Sequence, residues 1–383
     1  MSQLRSNHRS PIVPGRAAGL TLVELLVAMT IGLVLIIGAT QVYVDSHAAY
    51  AVNETTARLQ ENARYALSVL EPDIRMSGYW GLTNVSDGIT GIAQPTDAQS
   101  ALGAPAASTC GVNFPLLLGF PVQGTNDSYA ATCAANSAAM PNADTITVRR
   151  ASTITVPPAT ASGPLRICST RTSGLLVTDI SGAFCQDVNA QINNLIVNLY
   201  YVDQSSSQAG VPSLRRKALN GAAACTAPVS AAPCFQDDEI VPGVEDLQVQ
   251  YGVDLSGGFP PPSGAASDTS GAASEYLNAG AALTNLLNPP PAIPATTPAQ
   301  IVAVRIWLLV RTDAPEAGFT DDRIYEYGDR LAANGTTGDL TNLADSTKAY
   351  QPSLSTDNSF TGVKHYRRLL VSKTIQIRNA LAY

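Results

Sequence analysis

A chain of 383 residues, 45% hydrophobic and only 14% charged, with 29 Gly and 25 Pro, has room for one large or two ordinary domains with a real core. So low a charged fraction, against a usual value of about 25%, fits an extracellular or membrane-associated chain better than a cytosolic helical one. The formal net charge of −7 argues against a general nucleic-acid binder, which needs a basic surface for phosphate.

Residues 1–19 are polar and carry Arg5, Arg9 and Arg16 without an acid. Residues 25–44 then form an uncharged, mostly apolar run. As a helix this run reaches about 30 Å, the thickness of a bilayer core. The leader arginines predict an N-in, C-out topology. A secretory signal peptide has a shorter apolar core followed by a small-residue cleavage site. Here the run is longer, and only Ser46-His47-Ala48 offers a weak site. A plain signal anchor fits the length but leaves Glu24 unexplained, because a mid-membrane carboxylate costs about 2.5–3.5 kcal/mol. The ordinary reading of that acid is a side chain that snorkels to the headgroups.

Beyond Val44 the pattern turns amphipathic. Val52, Leu59, Ala63, Ala66, Leu70 and Ile74 recur at helical spacing, and Glu54 and Arg58 stand four apart on the other side. This predicts a single helix over roughly residues 20–76, with Pro72 as a kink and Gly78 as its end. Past Gly78 short β-rich runs are separated by Gly, Pro, Ser and Asn. Strands are expected at 145–149, 153–156, 195–202, 213–218, 247–253, 302–312 and 369–378. Alternation such as Leu247-Gln248-Val249-Gln250-Tyr251 suits a half-buried antiparallel sheet packed on a helix, so the predicted class is α+β. Residues 84–140 read as loop-heavy. Residues 255–299, with Pro260-Pro261-Pro262 and Pro289-Pro290-Pro291, read as a flexible insertion holding a short helix around 277–287.

Six cysteines, Cys110, Cys133, Cys168, Cys185, Cys225 and Cys234, all follow the apolar segment, and none forms a C-x-x-C pair. A disulfide framework in an oxidising compartment is the simpler reading over zinc or thiol redox chemistry. Many pairings are open; joining neighbours (Cys110–Cys133, Cys168–Cys185, Cys225–Cys234) is the preferred one. Arg215-Arg216-Lys217 and Arg367-Arg368 are candidate DNA contacts, although short basic runs are usually solvated strand ends. Asp237-Asp238 and Asp321-Asp322 are candidate calcium ligands, but no D-x-[DN]-x-[DN]-G loop supports them. His8, His47 and His365 are the only histidines, and H-E-x-x-H, G-x-S-x-G and G-x-x-x-x-G-K-[ST] are all absent. The sequence therefore predicts no enzyme, no cofactor and no metal.

Gly19-Leu20-Thr21-Leu22-Val23-Glu24-Leu25-Leu26-Val27-Ala28 closely resembles the class III signal of type IV prepilins and type II secretion pseudopilins. The resemblance implies cleavage by a prepilin peptidase between Gly19 and Leu20, methylation of Leu20, and a register role for Glu24 beside a neighbouring subunit's amino terminus. Leu20 stands where that family more often has Phe or Met. Further on, residues 73–81, 241–252, 302–306 and 375–379 resemble the PilW family of minor pilins, although Leu82 replaces the cysteine usual there. That resemblance implies a pilin-like fold in four parts. These are a leader at 1–19, a membrane or filament-core half-helix at 20–44, an amphipathic half-helix at 45–78 and a β-rich head at 79–383. It implies an inner-membrane protein with a periplasmic head that joins a surface pilus. Its partners would be other minor pilins, the major pilin, an inner-membrane assembly platform and a PilY-type tip adhesin. Adhesion, twitching motility or DNA uptake would follow from the pilus, with nucleic acid met only indirectly. A minor pseudopilin of a type II secretion system shares the leader, the acid and the long helix, but residues 75–81 and 245–252 favour the pilus.

Overall fold

A computed structural model of the chain describes residues 19, 21–83, 86–92, 116–131, 133–160, 163–219, 235–255, 271–280, 300–330, 349–354, 359 and 362–379. The first element is a helix, α1, Leu22–Arg75, of 54 residues. The chain divides into two compact units, Met1–Thr55 and Thr56–Tyr383, and the division falls within α1. Each is described by itself.

In the first unit the described part is the amino-terminal portion of α1. Pro is absent from it and its glycines, Gly32 and Gly38, have open space around them. In the second unit α1 continues to Arg75, with Leu59, Ala63, Ala66, Leu70 and Ile74 buried along one stripe, as the helical spacing predicts, while Val52 lies in the first unit. Pro72 does not close the helix; it sits inside the last turn, and its carbonyl accepts the Met76 N–H at 3.1 Å. The turn that follows needs Gly78, whose φ of 73° lies in the left-handed region that a Cβ disfavours.

Twelve strands follow among the described residues. Eight of them form one sheet: β1 (Ile89–Gly91), β2 (Val122–Thr125), β3 (Thr145–Thr155), β4 (Arg166–Ser169), β5 (Gly174–Val177), β6 (Gln191–Asp203), β7 (Ser213–Leu219) and β8 (Phe235–Pro242). The spatial order is β1-β5-β4-β6-β3-β2, with β7 on β6 and β8 on β7. Strand β6 is the hub: β3 lies along one side, and β4 and β7 share the other. All pairs are antiparallel except β1 with β5, so the sheet is mixed. The second sheet, ordered β10-β9-β11-β12, is antiparallel and comprises β9 (Val244–Asp254), β10 (Glu275–Asn278), β11 (Gln300–Arg311) and β12 (Arg368–Gln376).

One cluster of buried side chains joins the helix stripe to both sheets: Ile146, Val148, Tyr200 and Val202 from the first, and Leu247, Val249, Tyr251, Val304, Ile306 and Leu308 from the second. Each fully buried Leu, Ile or Val contributes about 1.5–3 kcal/mol, so this α+β arrangement is held mainly by that cluster. Two expectations are corrected. The runs at 145–149 and 153–156 are one strand, β3, with a register irregularity between Ala151 and Thr155. The helix expected around 277–287 is in its first residues the strand β10, so part of the expected insertion belongs to the sheet; residues 281–299 lie outside those described.

Candidate functional site: the amino-terminal helix and its junction with the head

Local chemistry explains where α1 begins. Thr21 precedes the first helical residue, and its Oγ1 accepts the Glu24 N–H at 3.2 Å. Glu24 Oε2 in turn accepts the Thr21 N–H at 3.2 Å and the Thr21 hydroxyl at 3.1 Å. This is a reciprocal capping box, and it satisfies two backbone donors that a helix start leaves orphaned. Thr-x-x-Glu before an apolar run is a sequence signal for such a box, which the reading of Glu24 as an unexplained acid overlooked. The carboxylate is thus held at the amino end of the helix, where the macrodipole favours negative charge.

Above it, the large apolar side chains between Leu22 and Val44 are 50–76% exposed. The helix is long and apolar enough to cross a membrane. That much continuous apolar surface needs lipid or other helices around it. Gly19 has nothing within 4 Å of where a Cβ would stand, and Leu20 lies outside the described residues.

At the other end, residues 73–81 lock the helix to the head. Asp73 is buried and accepts hydrogen bonds from Arg150 (Nε 3.0 Å, Nη2 2.7 Å), Asn198 Nδ2 (2.5 Å) and Tyr200 Oη (2.5 Å), on β3 and β6. Gly78 donates its N–H to the Arg149 carbonyl, and the Tyr79 carbonyl accepts from Ala151. Trp80 is buried in a second core with Ile167, Val197 and Tyr201. Gly81, at φ 89°, packs so tightly that a methyl group there would run into Ser169 Oγ. Gly81→Ala is expected to cost about 2 kcal/mol from strain plus clash, read as a lower denaturant midpoint.

A family model, Type IV Pilus-assembly protein W, matches residues 199–379, and the model of the prokaryotic N-terminal methylation motif matches residues 15–40. Residues 199–379 carry a PilW domain, behind a prepilin-type methylation motif. A solved type IV-like pilin from Thermus thermophilus is similar over 85% of this chain and 97% of its own, at 12% identity and a TM-score of 0.29. No curated protein matches the sequence. A PilW domain points to a structural part rather than a catalyst, and the methylation motif to processing by a prepilin peptidase and membrane anchoring before assembly.

Within the PilW region, residues 243–252 show why that stretch looks as it does. Gly243, at φ 89°, donates to the Pro212 carbonyl and accepts from the Arg311 N–H, each at 2.7 Å. Glu245 faces Arg368 (2.6 and 3.1 Å) and Arg311 (3.8 Å). Asp246 faces Arg330 Nε and Tyr327 Oη, each at 2.7 Å. Burial alone would push Glu245 up; the Arg368 guanidinium overrides it and holds the carboxyl below its ordinary value. Asp246 goes the other way, because its burial outweighs the pull of Arg330. Asp144 is also pushed well up by burial, although the Asp127 and Val249 N–H groups donate to it at 2.8 and 2.7 Å. These groups are buried and hold strands and loops of the head to one another.

The remaining candidates divide sharply. Cys168 and Cys185 form a disulfide, with Cα atoms 5.3 Å apart, inside a small core with Ile180 and Ile192. Cys133 is disulfide-bonded too, and Cys110, Cys225 and Cys234 lie outside the described residues. The basic runs are not free for DNA. Arg215 holds Asp237 at 2.7 Å, Arg216 holds Asp238 at 3.4 Å, Lys217 holds Asp237 at 2.5 Å, and Arg367 holds Glu316. The same pairs occupy Asp237 and Asp238, and Asp321 is buried against Arg368. Among the described residues, no group of three or more His, Cys, Asp or Glu is placed to hold a metal ion.

Proposed function

We propose that this chain is a minor pilin of the PilW family: it is cut between Gly19 and Leu20, methylated at Leu20, and works with other minor pilins in the complex that primes or tips a type IV pilus. Its role is architectural and it performs no catalysis. The observation that carries the reading is α1 itself, an exposed apolar helix whose first turn holds a carboxylate at Glu24. In the membrane the apolar face is solvated by lipid; in a filament, neighbouring helices replace it. A carboxylate entering that bundle gains only if it is paired, and the positive amino terminus of an adjacent subunit is the natural cation. The inner membrane, with the head outside the cytoplasm, is the proposed site before assembly, and the pilus surface afterwards.

The capping box sharpens this. Before docking, Thr21 keeps the Glu24 carboxylate oriented; on docking, the carboxylate exchanges that local partner for a cation. Glu24→Ala is expected to reduce incorporation into sheared pili by about tenfold or more at matched membrane levels, the effect of an unpaired amino terminus in an apolar bundle. Mass spectrometry of the sheared fraction measures it. Unchanged incorporation, or a mature chain that does not start at Leu20, would overturn the reading.

A further inference from the structure

Strand β11 sends Val304, Ile306 and Leu308 into the core and presents Arg305 on the opposite face of its sheet. Core packing therefore accounts for its neighbours but not for Arg305. Its guanidinium carbon lies 3.8 Å from the centre of the Tyr276 ring on β10 and 5.8 Å from that of Trp307. Nε donates to Thr374 Oγ1 of β12 at 3.4 Å. The other arginines nearby hold carboxylates: Arg311 of β11 and Arg368 of β12 pair with Glu245, and Arg367, just before β12, with Glu316. Arg305 has no carboxylate within ion-pair distance among the described residues.

The surroundings make this a receiving surface rather than a stray charge. Ser372, Thr374 and Gln376 of β12 are exposed on the same face, and Gln250 of β9 is half-buried beside Arg305. The Trp307 end is bounded by Tyr325, Tyr327 and Tyr350. Asp246 of β9 is engaged by Arg330, and Asp329 by Asn126 and by Asn278 of β10. Stacking on Tyr276 holds the guanidinium plane while leaving its Nη atoms without an acceptor among the described residues, a pre-oriented fork that matches a carboxylate. Arg flanked by Tyr and Trp is also the composition in which binding energy concentrates at protein interfaces.

We propose that this face docks an acidic segment of a neighbouring pilin subunit, with an Asp or Glu carboxylate of the partner received by Arg305 between Tyr276 and Trp307. The inference rests on the assembly role for its setting and adds the chemistry of one contact. It is tested in the full-length chain in cells, with photoreactive p-benzoylphenylalanine replacing Thr374 and, as a control, Val34 of α1. The expected result is an adduct from position 374 to an Asp- or Glu-bearing peptide of another pilin. Arg305→Gln should lower that adduct about tenfold, the worth of a charge-assisted pair. Arg305→Glu should abolish it, and changing the crosslinked acid of the partner to Arg should restore it, which a merely structural role would not allow. The proposal fails if the adduct ignores Arg305→Gln, joins a peptide without acids, or joins nucleic acid or lipid. It also fails if position 374 gives none while position 34 does, an outcome that leaves the assembly reading standing. Silence at both positions counts against both.

Discussion

Arg368→Ala is expected to destabilise the head by about 3–5 kcal/mol, because it strips the cation from two buried carboxylates at once. The Arg368 side chain is fully buried and bonds Glu245, Asp321, the Tyr350 hydroxyl and the Tyr366 carbonyl. Arg311, 3.8 Å from Glu245, is too distant to take over the hydrogen bonds. Denaturant unfolding of the full-length chain in detergent, followed by the fluorescence of Trp80 and Trp307, measures the loss. The pH dependence has a definite sign. In the native protein Glu245 is held below its ordinary value, so its contribution is complete at neutral pH and is lost as pH falls through the folded pKa. In Arg368→Ala burial dominates, the ionised Glu245 becomes a cost at neutral pH, and protonation relieves it. The stability gap between the two proteins should therefore be widest near neutrality and shrink towards about pH 4. A gap independent of pH would mean that lost packing, not charge, is the cause. Adding Glu245→Gln to Arg368→Ala should recover part of the loss, since the stranded charge is then gone.

Asp73→Ala should cost about 3 kcal/mol or more, with a different signature. Asp73 is the single acceptor through which Arg150, Asn198 and Tyr200 meet α1. Its removal leaves a buried hydroxyl and a mostly buried guanidinium facing an apolar gap. Tyr200→Phe deletes one donor and leaves the others paired, so it should cost only about 1 kcal/mol. Burial and Asp73 together push the Tyr200 hydroxyl up, so it stays a donor at all working pH values. Because the damage in Asp73→Ala falls on the helix–sheet seam, protease should cut the variant near residues 73–81 while the disulfide-pinned region around Cys168 survives. Uniform digestion would argue that the seam is not where the stability lies.

What was readable in the chain follows from which forces are local. The stripe Leu59 to Ile74 was legible because burial imposes a period of 3.6, and Leu247 to Tyr251 because a strand imposes a period of 2. Asp73 was not, since a charge within an amphipathic pattern reads as solvent-facing; its partners stand 77 to 127 residues away. For the same reason Arg330 has no sequence signal and Arg368 reads as a candidate DNA contact, their carboxylates being 84 and 123 residues distant. Strand β10 is four residues set among Gly, Ala and Ser, and only its partner β9 makes it a strand. The basic runs looked like free surface because their neutralising acids lie on the next strand, β8 for Arg215 to Lys217. At the amino end the resemblance singles out Glu24, while the physics of its cap with Thr21 is local and readable from four residues.

Residues 378 and 379 finish what α1 starts. Arg378 donates its backbone N–H to the Arg75 carbonyl, and the Asn379 amide reaches the carbonyls of Met76 and Ser77, some 303 residues earlier. The Arg75 carbonyl is among those a helix leaves without partners at its carboxyl end. The rod is thus synthesised some 303 residues before the segment that closes its terminus. Closing it has to wait for residues 378 and 379, and contacts of so long a loop form slowly. A newly made chain therefore passes through a period in which its anchor is ready and its head is not.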